Sequence, residues 1–120
     1  MRPAVKRPET VERRRALFLE AAAIVDAEYR EKLALDDLAR RVATSRRQLQ
    51  RAFAEAGETS FRSYLQRVRM ERAAELLRAG EAPVGQVAAA VGYRQPAQFA
   101  KAFRRHHGAA PSSFRGTLAA

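Results

Sequence analysis

The chain contains no cysteine. A disulfide framework, a cysteine-based zinc site and a thiol nucleophile are therefore excluded. No apolar run approaches the ~20 residues that a membrane span needs. The basic residues near the start (Arg2, Lys6 and Arg7) have no apolar stretch behind them, so no secretory signal is expected. A cytoplasmic location is the default expectation, with no membrane as partner. Also missing are a glycine-rich phosphate loop, a nucleophile with a plausible base, and a set of side chains spaced for a metal. His106 and His107 are adjacent and diverge on a helix, with no carboxylate spaced to join them, which suits a helix-end or phosphate-facing role. Asp36 and Asp37 are likewise adjacent, and neighbouring helical residues point about 100° apart, so a paired-carboxylate site is a poor fit. No enzyme, no cofactor and no metal site is expected. No segment shows the period-two alternation of a strand, so the expected fold class is all-α.

What is present is a basic, moderately apolar chain of 120 residues, 47% of them hydrophobic. That suffices for a core in one ordinary domain or two very small ones. Lysine and arginine number 23 against 13 acids, a net charge of +10. Such an excess on so short a chain points to a polyanionic partner, either nucleic acid or an anionic membrane. The charge is uneven. Residues 60–79 hold five arginines against two glutamates, and residues 95–108 hold Lys101, Arg104 and Arg105 with no acid. Residues 10–34, 35–44 and 80–94 are each neutral.

Along the chain, residues 1–9 carry Pro3 and Pro8 without apolar periodicity and read as a flexible basic arm. Thr10 suits the cap of a first helix running to about Glu31, with Leu17, Ala21, Ile24 and Val25 as its apolar stripe. Leu35, Leu38, Ala39 and Val42 form the buried face of a short helix. Asp36 and Asp37 lie in its first turn, where negative charge suits the helix dipole. Ala43-Thr44 is a tight turn, Ser45 a good N-cap, and the helix that follows runs to about Ala56, stopped by Gly57. Ser60 caps a longer helix to about Ala79, closed by Gly80, with Phe61, Tyr64, Leu65, Val68, Leu76 and Leu77 on its apolar side. Pro83 opens another short helix, with Val84, Val87, Ala88 and Val91 inward. After a turn at Gly92-Tyr93-Arg94, Pro96 fits a first helical position with Gln95 as a mediocre cap. That helix carries Phe99 and Phe103 and ends at Gly108, with Pro111 preventing its continuation.

Two of these segments match each other. Leu38, Ala39 and Val42 recur 49 residues later as Val87, Ala88 and Val91, and Leu49, Arg51 and Phe53 recur 50 residues later as Phe99, Lys101 and Phe103. Each copy is a helix with a small inward alanine, a tight turn, and a helix with a large apolar pair at i, i+4. This is the pattern of a helix-turn-helix. The expected organisation is thus an arm (1–9), a first helix-turn-helix subdomain (10–57), a linker helix (58–80) and a second helix-turn-helix subdomain (81–120), with about seven helices in all.

Rotation locates the outer faces. With Leu49 at zero, Arg47 falls at about 160°, Arg51 at about 200° and Gln50 at about 100° around the helix. With Phe99 at zero, Ala97 falls at about 160° and Lys101 at about 200°. On the same wheel Arg104 falls at about 140°, Arg105 at about 240° and Gln98 at about 260°. The bases lie opposite the core in both copies. Arginine pairs bidentately with guanine, glutamine with adenine, and a small alanine packs on a thymine methyl. Arg46, at about 60°, is better placed for phosphate. The linker helix, at 20 residues from Ser60 to Ala79, spans about 30 Å, close to the ~34 Å of one DNA turn. A monomer on an asymmetric site, with two contacted segments about one turn apart, is the expectation.

The chain resembles the DNA-binding domain of AraC/XylS-type bacterial transcription regulators. The resemblance is carried by LDDLARRVATSRRQLQRAFAEAGETSFRSYLQRVRMERAAELL and VGQVAAAVGYRQPAQFAKAFRRHHGAAPSSFR, from about Leu35 to Arg115. The pieces S-x-x-x-L-x-R-x-F, G-x-S-F-x-x-Y-L, V-G-Y, F-x-x-x-F and G-x-x-P-x-x-F-R stand in the family's order. The resemblance implies two helix-turn-helix motifs on double-stranded promoter DNA, with transcription usually activated through RNA polymerase. By position, it places first-motif base contacts on Arg47, Gln50 and Arg51, and second-motif contacts on Ala97, Gln98 and Lys101. The sequence departs from the pattern at Gln95-Pro96-Ala97, where the family often has Ser or Thr, so the second motif is expected to read fewer bases. The family's usual sensor domain is missing from this sequence. A naturally small member and a piece of a longer regulator both stay open.

Arg67, Arg69 and Arg72 read equally as DNA-backbone contacts or as solvated surface. Tyr64, Phe99, Phe103 and Phe114 sit on inward stripes and read as core. The alternative to a sequence-specific regulator is a non-specific basic nucleic-acid-packaging protein, whose affinity would be nearly sequence-independent. A membrane-surface role would account for the charge but not for the paired turns.

Overall fold

The structure, a computed structural model, describes residues 8–80 and 82–117. It contains six α-helices and a short 3₁₀ turn, with no strand among the described residues. The helices are α1 (Pro8–Glu28), α2 (Leu35–Arg41), α3 (Arg46–Ala56), α4 (Phe61–Ala79), α5 (Val84–Ala90) and α6 (Pro96–His107), and the 3₁₀ turn is Pro111–Phe114. The all-α class and the helix count agree with the sequence expectation. No helix among the described residues is long and apolar enough to cross a membrane.

The chain divides into two compact units. One comprises the described residues up to Glu28 together with Leu33–Tyr64, and the other comprises Tyr29–Lys32 together with the described residues from Leu65 onward. In the first unit α1 packs on α3. Leu17, Ala21 and Val25 from α1 are buried, as are Leu38, Ala39, Val42, Leu49, Ala52 and Phe53. Rings close this core edge to face: Phe18 on Phe53 at 5.3 Å, and Tyr64 on both Phe18 and Phe53 at 5.9 Å. The Tyr64 hydroxyl donates to Asp26 Oδ1 at 2.9 Å, so its polar end is satisfied while its ring is buried. Ser45 caps α3, its Oγ accepting from the Gln48 N–H at 3.1 Å, and Ser60 caps α4 in the same way through the Ser63 N–H at 3.0 Å.

The second unit is built around Met70, Ala73, Ala74 and Leu77 of α4, Val87, Ala88 and Val91, and Phe99, Ala102 and Phe103 of α6. Small alanines let the helices approach, and the phenylalanines fill the space between them. α6 ends on Gly108 in a left-handed conformation (φ 78°), whose N–H donates to Arg104 O at 2.8 Å. Beyond it, Phe114 stacks edge-on against Phe103 at 5.0 Å, and Gly116 N–H donates to Leu77 O at 3.0 Å.

Several local expectations are corrected. α1 begins at Pro8, which suits a first helical position, so Thr10 lies inside the helix, and the helix ends at Glu28 rather than near Glu31. Arg2, Lys6 and Arg7 of the expected arm lie outside the described residues. Leu76 is 40% exposed, because the inward stripe of α4 is Met70, Ala73, Ala74 and Leu77, at the i, i+3, i+4, i+7 spacing. Arg69 is not solvated surface. It is half-buried, with Nε donating to Tyr29 O at 2.8 Å and Nη2 to Glu31 O at 3.0 Å. His107 turns inward, its ring 4.4 Å from that of Phe103 and its Nε2 3.0 Å from Met70 O. Since a carbonyl can only accept, that nitrogen carries the proton.

Candidate nucleic-acid interface

The repeat seen in the sequence is a repeat of backbone geometry. In the first copy Val42 N–H donates to Leu38 O, Ala43 N–H to Arg40 O, and Thr44 N–H to Ala39 O. In the second, Val91 donates to Val87, Gly92 to Ala89, and Tyr93 to Ala88. The second helix of each copy then starts on an extended residue, Ser45 or Gln95, whose carbonyl accepts from Leu49 or Phe99. Gln95 makes no side-chain cap, while Ser45 does. In each copy the apolar side of this second helix is sealed: Leu49, Ala52 and Phe53 in α3, and Phe99, Ala102 and Phe103 in α6. What remains is a polar outer face.

On α3 that face presents Arg46, Arg47, Gln50 and Arg51, all exposed. On α6 it presents Ala97, Gln98, Lys101, Arg104 and Arg105, also all exposed. Each set is thus gathered on one helix of its own unit. Among the described residues no carboxylate pairs with Arg47, Arg51, Lys101, Arg104 or Arg105. Arg46 differs, with Nη1 3.6 Å from Asp36 Oδ1. The 50-residue offset places Lys101 on Arg51 and Ala97 on Arg47. It also relates Gln98 to Gln48, an exposed residue of α3 that the sequence reading passed over, while Gln50 corresponds to the half-buried Ala100. The offset itself was the signal that finds Gln48.

Away from that face, other cations of the first unit are paired with carboxylates. Arg41 grips Glu28 through two bonds, at 2.7 and 2.6 Å. Hydrogen bonding from Arg41 holds the Glu28 carboxyl below its ordinary range, and the same contact raises Arg41. Arg14 pairs with Glu55, and Arg40 with Asp37. In the second unit, burial holds Arg69 below the ordinary arginine value. His106 is depressed first by burial and then by His107. No group of three or more His, Asp or Glu side chains placed to hold a metal ion occurs among the described residues. The arrangement offers hydrogen-bond donors and positive charge on two short helical faces, the chemistry that base edges and phosphates require.

Comparison with known proteins bears on this geometry. The family described as "Helix-turn-helix domain" matches residues 38–117, which takes in both motifs. The chain belongs to the AraC/XylS type of helix-turn-helix domain. An AraC-type DNA-binding domain from Chromobacterium violaceum superposes with a TM-score of 0.79 at 31% identity, covering 83% of this chain and 89% of the other. The DNA-binding domain of AdpA, solved in complex with a target DNA, gives a TM-score of 0.76 at 28% identity over 82% of this chain and 88% of that one. In sequence, the Msm operon regulatory protein of Streptococcus mutans is 30% identical over 92 residues, 77% of this chain and 33% of that protein. This AraC-type chain therefore spans about a third of the length of that relative.

Proposed function

We propose that this AraC-type domain is the DNA-binding part of a bacterial transcription regulator. It reads a specific duplex sequence with α3 and α6, each placed in a major groove. Arg47, Gln50 and Arg51 face base edges in one segment, and Ala97, Gln98 and Lys101 in the other. Arg46, Arg104 and Arg105 hold phosphates. The observation that carries this reading is the duplicated motif, in which two helices of matching geometry bury their apolar sides and expose, at equivalent positions, the cations Arg51 and Lys101, which no carboxylate pairs among the described residues. That a similar domain, AdpA's, was solved in complex with target DNA supports it.

The finer reading follows from the same features. The chain binds as a monomer to an asymmetric site, because the two motifs differ in sequence and sit in one polypeptide. The arm (1–9), whose last two residues already belong to α1, the first subdomain (10–57), the linker helix (58–80) and the second subdomain (81–120) divide the work. The site of action is a promoter in the cytoplasm, with RNA polymerase as protein partner and activation as the outcome. No catalytic step is part of this role.

Selection of bound duplexes from a random pool tests the proposal. The expected product is one asymmetric consensus with two conserved segments about one helical turn apart. The net charge of +10 alone favours the non-specific packager, and a selection that enriches no sequence would decide for it. A palindrome occupied by two copies, each with one motif engaged, would overturn the monomer.

A further inference from the structure

Arg46 stands in the first turn of α3 and Asp36 in the first turn of α2, with guanidinium and carboxylate 3.6 Å apart. Both side chains are open to solvent, at 61% and 59% exposure. The neighbouring acid is engaged elsewhere, since Asp37 accepts from Arg40 on its own helix. Asp36 is thus the carboxylate beside the first cation of the base-facing helix.

The second motif lacks this pair. The 49-residue offset carries Asp36 onto Gly85, and the 50-residue offset carries Arg46 onto Pro96. Neither bears a charge. The repeat therefore supplies an internal comparison: one backbone motif, with an acid–base pair in only one of its two copies.

An arginine at this place has two anionic partners within its reach, the carboxylate at its side and a phosphate of bound DNA. Charge already shared with a carboxylate is not fully available to displace counterions from the duplex. We propose that Asp36 competes with the DNA backbone for Arg46. The first motif then grips phosphate less tightly, and with less salt sensitivity, than its cations alone would give. Its hold on DNA leans correspondingly more on Arg47, Gln50 and Arg51. The inference rests on the reading of α3 as a DNA-facing helix. Exposed ion pairs are individually weak, so Asp36 tempers affinity in a graded way and does not act as a switch.

The test is titration of the full chain with a random-sequence duplex across a salt series, read by fluorescence anisotropy. Asp36→Asn removes the charge and keeps the size. It is expected to tighten binding by about two- to fivefold. The slope of log affinity against log salt should steepen by up to about 0.9, the share of one further neutralised phosphate. Arg46→Ala should weaken binding, and Asp36→Asn added to Arg46→Ala should bring no further tightening. Asp36→Ser, also small and polar, replaces Asp36→Asn if that variant melts early. Unchanged affinity and slope would overturn the proposal. So would equal tightening with and without Arg46, which would make Asp36 a simple repeller of phosphate. The random duplex contains no selected site. A chain that prefers no sequence would undo the regulator reading and leave this comparison intact, whereas an inert Asp36→Asn would do the reverse.

Discussion

Ala43 and Gly92 occupy the same place in the two helix-turn-helix turns, and both adopt a left-handed backbone, with φ of 56° and 97°. A β-carbon in that conformation costs about 1–2 kcal/mol. Glycine avoids the cost but gives up some of the gain through a freer unfolded chain. Ala43→Gly is therefore expected to raise stability by about 0.5–1 kcal/mol. Gly92→Ala should lose more than the backbone term, because its new Cβ would lie 3.0 Å from Arg30 O and 3.1 Å from Arg69 Nη2. Urea unfolding of both variants checks the opposite signs, and a destabilised Ala43→Gly would contradict the strain argument.

The same Arg69 sets a second expectation. Its fork ties two backbone carbonyls, Tyr29 O and Glu31 O, and its guanidinium lies over the Tyr93 ring at 5.9 Å. Arg69→Met keeps most of the stem and leaves both carbonyls without this donor. A loss of about 1.5–3 kcal/mol is expected, the range for hydrogen bonds to a charged group. Arg69→Lys should recover only part, since an ammonium cannot reproduce the planar fork. Equal stability of wild type and Arg69→Met in urea would show the clamp to be idle.

Two glycines should respond in opposite directions. A Cβ on Gly57 would stand 2.4 Å from the Phe18 ring, which is itself wedged against Phe53 and Tyr64. Gly57→Ala is expected to destabilise the first unit by about 1–3 kcal/mol through overpacking. A Cβ on Gly85, in the first turn of α5, meets nothing within 4 Å. Gly85→Ala should stabilise by about 0.5–1 kcal/mol, from helix propensity alone. Thermal melts of the two variants should move apart, and a shared direction would refute the packing contrast.

The contrast also shows where the sequence was legible. Strong helical stripes such as Leu38, Ala39 and Val42, and large pairs such as Phe99 and Phe103, announced both motifs, because large apolar side chains at fixed spacing leave few other folds. Of the stripe Met70, Ala73, Ala74 and Leu77, only Leu77 was legible, because alanine is a weak marker of burial, and the adjacent Leu76 reads as apolar though it is exposed. Arg69 looked like surface because an arginine that binds carbonyls from residues 40 and 38 positions away carries no local sign of it. The inward turn of His107, the last residue of α6, was hidden for the same reason, its partner Met70 O being 37 residues back. At the candidate interface, the polar faces of α3 and α6 could be placed by rotation alone, while the ion pair between Asp36 and Arg46 needed the turn geometry.

The depressed His106 carries a pH consequence. Burial acts first, then the neighbouring His107 and Arg67, against Glu71, which favours the proton. The folded chain therefore binds the His106 proton less readily than the unfolded chain does. Stability from this group is present above the ordinary histidine range and is lost as pH falls through it. Urea midpoints should decline between about pH 7.5 and 5.5, and His106→Gln should decline less over that span. Parallel slopes for the two proteins would remove His106 as the cause.

Arg51 and Lys101 answer to the same position in α3 and α6, yet they should not fail alike. Arginine's fork can engage two acceptors on one guanine, whereas lysine is a point charge on a flexible stem. Arg51→Ala is expected to cost about 1–3 kcal/mol on the selected duplex and to relax the preference at the base it faces. Arg47→Ala should behave in the same way. Lys101→Ala should cost less on the selected duplex and relax the preference at its base less sharply, since one flexible ammonium discriminates acceptors less well than a fork. Each variant is carried through the same random-pool selection and salt titration as the wild type. If Arg47→Ala and Arg51→Ala lose affinity equally on every sequence, those arginines clamp phosphate rather than read bases. The specificity of the first motif would then have to come from Gln48 or Gln50, the exposed uncharged polar side chains on that stretch of α3.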